Sequence, residues 1–158
     1  MHRSPHSKDL RKGRYSQPGG IYLLTWTTEN RIPWFTDWHL GRLVVTALSR
    51  AHGEGKAESL AFVIMPDHVH WLITLMADAL STLVRNVKSQ AGFLVKHRLL
   101  EQGRIGQDTA IWQDGYHDHA LRSEESVEDV ARYIVMNPVR AGLVKSIRQY
   151  PLWDAKWL

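Results

Sequence analysis

Apolar residues in this chain fall into runs of two different periods. Ile21-Tyr22-Leu23-Leu24-Thr25-Trp26-Thr27-Thr28 is rich in β-branched and aromatic residues and follows Pro18-Gly19-Gly20, which predicts a first strand. From His39 to Ala51, Leu40, Leu43, Val44, Ala47 and Leu48 recur at helical spacing, and Gly53 supplies a stop. Two further apolar runs, 57–65 and 68–76, flank the turn pair Pro66-Asp67 and predict a hairpin. A second helix is expected from Leu80 to Leu100, then a loop at Gly103 and Gly106, then a bent strand within 110–121 near Gly115. Ser123 is the expected N-cap of the last helix, with Glu124, Glu125, Glu128 and Asp129 early in it. Val127, Val130, Ala131 and Ile134 form its apolar stripe, and Pro138 ends it at Asn137, leaving 139–144 as a short turn or helix. The order β-α-β-β-α-β-α predicts an α+β fold, a ferredoxin-like antiparallel sheet with packed helices.

Composition narrows the functional classes. With 158 residues, 44% of them hydrophobic, the chain suits one domain with a real core. It has no cysteine, so disulfides and thiolate chemistry are excluded and any metal must be held by His, Asn, Gln or carboxylates. No apolar run approaches the roughly 20 residues needed to span a bilayer, and the polar start lacks a signal-peptide core, so no membrane role and a cytoplasmic location are expected. The net charge of +4 is concentrated at the start. Arg3, Lys8, Arg11, Lys12 and Arg14 face Asp9 alone within residues 1–14, a composition of phosphate-binding arms and also of solvated termini.

Chemistry is densest at Met65-Pro66-Asp67-His68-Val69-His70-Trp71. Alternation along a strand sends His68 and His70 to one face and Val69, Trp71 and Ile73 to the other. Two neutral imidazoles at fixed separation make a ready pair of metal ligands, although two packed or solvated histidines would show the same spacing. His117 and His119 repeat the pattern. For them to be an ordinary half-covered strand, Asp118 would have to take the buried face. Tyr133 stands off the apolar stripe of its helix, in line with Asp129 and Asn137. If His68 and His70 hold a divalent cation on a phosphodiester, Tyr133 could attack the phosphorus and Asn137 could complete the metal site. Tyr133 as an amphipathic rim residue and Asn137 as the cap of a helix opened by Pro138 are the plainer alternatives.

Gly19-Gly20-Ile21-Tyr22, the Met65–Trp71 stretch and Tyr133-Ile134-Val135-Met136-Asn137-Pro138-Val139-Arg140-Ala141-Gly142-Leu143-Val144 together resemble the HUH single-strand transposases with one catalytic tyrosine. The last stretch most resembles the REP-associated tyrosine transposases of bacteria. The resemblance covers residues 18 to about 145. It implies the HUH endonuclease fold and a metal-dependent single-strand DNA endonuclease and strand transferase that makes a 5′-phosphotyrosine and leaves a free 3′-hydroxyl. Residue by residue, it makes His68 and His70 metal ligands, Tyr133 the nucleophile and Asn137 the third ligand, where many insertion-sequence relatives carry Gln. The expected cofactor is Mg²⁺ or Mn²⁺, and the expected partner is single-stranded or hairpin DNA with REP-like palindromes. The chain is expected to be a monomer or homodimer, associated with the bacterial nucleoid. The domain plan is then a basic arm, 1–17, before an HUH domain, 18–158. Arg11, Lys12 and Arg14 of the arm, with Lys88 and Gln90 on the basic helix, are candidate DNA contacts by charge and position. The resemblance gives Trp112-Gln113 and Tyr116-His117-Asp118-His119 a structural or DNA-facing part and no metal. Two rival readings remain: a single-strand binder in which Tyr22, Trp26 and Trp71 stack bases, and a hydrolase that activates water on the histidine-bound metal.

Overall fold

Strand β3 (His68–Leu75) is the middle of the fold, paired on one side with β1 (Ile21–Thr27) and on the other with β2 (Ala57–Met65). The computed structural model describes residues 17–157. Arg11, Lys12 and Arg14 lie outside the described residues. The remaining elements are α1 (Trp38–Gly53), α2 (Leu80–Glu101), β4 (His117–Ala120), α3 (Val127–Val135), the four-residue α4 (Asn137–Arg140) and β5 (Trp153–Ala155). The sheet runs β4-β1-β3-β2-β5 and every pairing is antiparallel. Its first four strands follow the predicted ferredoxin-like plan.

The alternation read from β3 decides which helix lies where. Val69, Trp71 and Ile73 join Tyr22, Leu24 and Trp26 of β1 in a large apolar cluster with Leu40, Val44 and Leu48 of α1 and Val84, Val87 and Val95 of α2. Trp71 is fully buried, meets Trp26 edge-to-face with ring centroids 6.4 Å apart, and donates its indole N–H to Ser59 Oγ at 2.9 Å. The three aromatics that would serve a base-stacking sheet are thus buried under α1 and α2 and offer no stacking platform. The other face of β3 carries His68, His70 and Leu72. Leu72 packs with Leu60, Ala131, Ile134 and Val135 in a smaller cluster, which seats α3 on the histidine face.

Three expectations need correction. The last helix starts at Ser126, whose side chain accepts the Asp129 N–H at 3.3 Å. The expected cap, Ser123, sits in a preceding turn where the Glu125 carboxylate takes the Arg122 N–H at 2.9 Å. That helix ends at Val135, and Asn137 and Pro138 open the separate α4. The bent strand of 110–121 shrinks to four residues, because Gly115 takes a φ of 83° and upstream only Trp112 bridges the sheet, to Thr28. Finally, β5 adds a fifth strand beside β2 that three residues of mixed character did not announce.

Replacing Trp71 with Ala is expected to destabilise the fold by roughly 3–5 kcal/mol, the range for truncating a buried large aromatic. A lowered midpoint in urea denaturation at unchanged slope is the measurement.

Candidate active site on the helix-poor face

The His68 and His70 rings lie edge-to-face with centroids 4.8 Å apart. Each is held through Nδ1. His68 Nδ1 is 2.7 Å from Asp67 Oδ1, and since a carboxylate only accepts, the ring donates there, which in a neutral imidazole leaves the lone pair on Nε2. Asp67 is itself fixed from the other side by Arg31, 3.0 Å from Oδ2. His70 Nδ1 lies 3.0 Å from Thr25 Oγ1, the residue directly opposite in the β1 register. No described group hydrogen-bonds either Nε2. A carboxylate or hydroxyl behind Nδ1 with Nε2 open is the outer-shell arrangement of metal-ligating histidines. Burial first, then the neighbouring His68 and the charge of Arg140, lower the His70 pKa from 6.5 to about 4, so this ring is neutral, as a ligand must be.

Tyr133 comes to this face on α3. Its helix turns Ala131, Ile134 and Val135 into the sheet, which leaves Tyr133 64% exposed. The Arg140 guanidinium lies over the Tyr133 ring, 3.8 Å from its centroid, and donates to Asn137 Oδ1 at 2.7 Å. Asn137 in turn donates from Nδ2 to the Ile134 carbonyl at 2.9 Å. The α3–α4 junction therefore brings Tyr133, Asn137 and Arg140 together, with the charge of Arg140 felt at His70. The other described tyrosines are unsuited to such exposure. Tyr22 and Tyr116 are buried, and Tyr150 is buried with its hydroxyl donated to the Ile64 carbonyl and its pKa pushed up to about 12 by desolvation.

The sequence profile of the IS200-like transposases matches residues 17–137, most of the chain and all of the catalytic candidates. The chain belongs to the IS200-like transposase family. A REP-associated tyrosine transposase of Escherichia coli is 27% identical over 142 residues, spanning 87% of this chain and 78% of that protein. Among solved structures, a REP-associated tyrosine transposase bound to a REP hairpin superposes with a TM-score of 0.68 at 26% identity, covering 89% of this chain and 79% of the other. A Deinococcus radiodurans protein at 20% identity shares the fold, with a TM-score of 0.57 over 77% of this chain and 93% of its own. HUH transposases are generally metal-dependent. No helix among the described residues is long and apolar enough to cross a membrane.

Other candidates of the transposase are placed differently from the histidine pair. Lys88 is half-buried, its ammonium donating to the carbonyls of Gln113 and Gly115 at 2.9 and 2.7 Å, which ties α2 to the loop before β4. Gln90 lines a shallow cavity of about 200 Å³ with Glu54, Lys56 and Asp78, on the α1 and α2 side of the sheet. His117 and His119 share the face of His70, because His117 is opposite Thr25 and His119 opposite Leu23. His119 is engaged by the Glu125 carboxylate at 3.0 Å. Asp118 faces the other way, as a half-covered strand requires. Among the described residues no three His, Asp or Glu side chains converge as a metal cluster. Sequence reading missed Thr25, Arg31, Asp67 and Arg140 as partners of the site. Asp67, next to His68, and Arg140, three residues after Asn137 on a helix, left a readable trace.

The lowered His70 pKa gives stability a defined acid limit. Between 6.5 and about 4 the unfolded chain takes up a proton that the folded ring refuses, so stability is lost as pH falls through that window. An NMR titration of the His70 ring is expected to show a midpoint near 4, not 6.5.

Proposed function

We propose that this transposase cuts and rejoins single-stranded DNA through a 5′-phosphotyrosine on Tyr133, with His68, His70 and Asn137 as ligands for Mg²⁺ or Mn²⁺. Its substrate is hairpin-bearing, REP-like DNA, by analogy with the hairpin-bound relative, and its compartment is the bacterial cytoplasm at the nucleoid. The observation that carries this reading is that Tyr133 alone among the described tyrosines is exposed, on the face of the sheet that holds the histidines. The donor set suits a hard divalent ion: two imidazoles with no described hydrogen bond at Nε2, one of them held neutral, and the amide oxygen of Asn137 one helical turn beyond Tyr133. When bound, the cation would supply Lewis-acid polarisation of a phosphodiester oxygen.

The chain's own residues do the rest. A phenol is a weak nucleophile at neutral pH, about three units below its reference pKa, but a fixed attack geometry can supply several kcal/mol of barrier reduction. The Tyr133 oxygen forms a bond to phosphorus as the bond to the 3′-oxygen breaks. The phenolic proton is lost to solvent, and the departing 3′-oxygen takes one up. Because the tyrosyl phosphodiester conserves the energy of the original linkage, a 3′-hydroxyl can attack it in reverse and rejoin a strand. Asp67 and Thr25 orient the imidazoles, and Arg31 holds Asp67 in place.

Tyr133→Phe is expected to abolish both cleavage of hairpin-bearing single-stranded DNA and the denaturation-resistant adduct, while His68→Ala also loses cleavage with the fold intact. Mass spectrometry of the trapped adduct should place the phosphodiester on Tyr133. Cleavage that survives Tyr133→Phe would mean an activated-water hydrolase. For the arm, whose residues 1–14 hold five basic side chains against one acid, deletion is expected to weaken DNA binding and flatten its log–log salt dependence by roughly 0.7–0.9 for each phosphate that is no longer neutralised. An unchanged slope would assign the arm no part in binding.

A further inference from the structure

Arg140 is exposed and pairs with no carboxylate among the described residues, yet its guanidinium makes two ordered contacts. It covers the Tyr133 ring at 3.8 Å and donates to Asn137 Oδ1 at 2.7 Å. The orientation of the Asn137 amide is fixed by its surroundings. The Ile134 carbonyl can only accept and takes Nδ2 at 2.9 Å, while a guanidinium can only donate and takes the oxygen. The one oxygen that Asn137 has to offer a cation is therefore held by the same group that covers the nucleophile.

We infer that Arg140 is a positioning residue that latches Tyr133 and Asn137 together at rest, and that a divalent cation competes with it for the Asn137 amide oxygen. The inference rests on His68, His70 and Asn137 being the metal site. A carbonyl oxygen has two lone pairs, so both partners could reach it, but they would then stand roughly 4 Å apart. Two cationic groups that close repel strongly at the dielectric of a protein surface. With a cation held there, the guanidinium would leave Asn137 and lose one of its two ordered contacts, keeping only the one to the Tyr133 ring. The freed guanidinium is a planar, two-pronged phosphate ligand beside the nucleophile. Arg140 thus weakens metal binding when no DNA is present and gives way more readily when a phosphate offers it another partner.

Calorimetric titration of the full chain with Mn²⁺ in the absence of DNA tests this. Arg140→Ala is expected to bind Mn²⁺ about three- to tenfold more tightly than the unaltered protein. Arg140→Lys, which keeps the charge without the fork, is expected to fall between the two. A merely structural role for Arg140 would weaken binding and so move the value the other way. His70→Ala separates the two layers of the argument. If it binds Mn²⁺ as well as the unaltered protein, the metal site itself is misassigned. If it loses Mn²⁺ while Arg140→Ala shows equal or weaker affinity, the latch is overturned. The side-chain amide signal of Asn137 gives a second readout by NMR: it should move on adding Mg²⁺ to the unaltered protein, and a signal that stays in place would overturn the competition. Should Arg140→Ala melt at a much lower temperature, Arg140→Gln is judged by the same two criteria.

Discussion

His70 and Trp71 are neighbours in the chain with opposite requirements, and the position of β3 between β1 and β2 is what satisfies both. Trp71 must be buried, which it is against Trp26 with its indole N–H held by Ser59. His70 must meet Thr25 and keep Nε2 open. A slip of one residue in the β1–β3 register would exchange the two faces, burying imidazoles under α1 and α2 and turning the indole out to water. The cost of exposing that indole is therefore also a restraint on the chemistry of the opposite face. Core and site both follow from one strand register.

The sheet treats its two faces unequally. On the Trp71 side two long helices close a large apolar cluster, while on the histidine side the nine-residue α3 rests on a smaller one built around Leu72, Ala131, Ile134 and Val135. The smaller seat leaves room beside it. His68 and His70 lie on that face of β3, and the charge of Arg140 is felt at His70. A helix that spends only three residues on full burial has its other sides free for presenting groups outward, and Tyr133 is one of them.

Sequence alone carried the fold well where side-chain periodicity was strong. The alternation at 68–75, the stripe of Leu40, Val44, Ala47 and Leu48, and the turn at Pro66-Asp67 each report a burial that tertiary packing also demands, so local and global preferences agree. It carried poorly where the structure depends on a partner distant in sequence. β5 exists because β2 offers an edge, and nothing within Trp153-Asp154-Ala155 signals that. Ser123 and Ser126 are equally good caps by identity. The choice fell to Glu125, whose bonds to the Arg122 amide and the His119 ring place the turn ahead of Ser126. At the site, the residue types of the ligand and nucleophile candidates could be read directly, and the exposure of Tyr133 followed from its place off the stripe. The support from Thr25 could not, because Thr25 and His70 are brought together only by strand register, across 45 residues of chain.

The strands at the sheet's two margins are its shortest, four residues in β4 and three in β5, while β2 and β3, at nine and eight, are enclosed. An unpaired margin is where a foreign strand can attach and extend a sheet without limit. Here one margin is interrupted by His117, Asp118 and His119 and followed at once by a turn, and the other ends after a single Trp-Asp-Ala step. The long, strongly apolar strands at the centre of the sheet are thus shielded from edge-to-edge pairing, and the described residues present little ladder on which copies of the chain could aggregate.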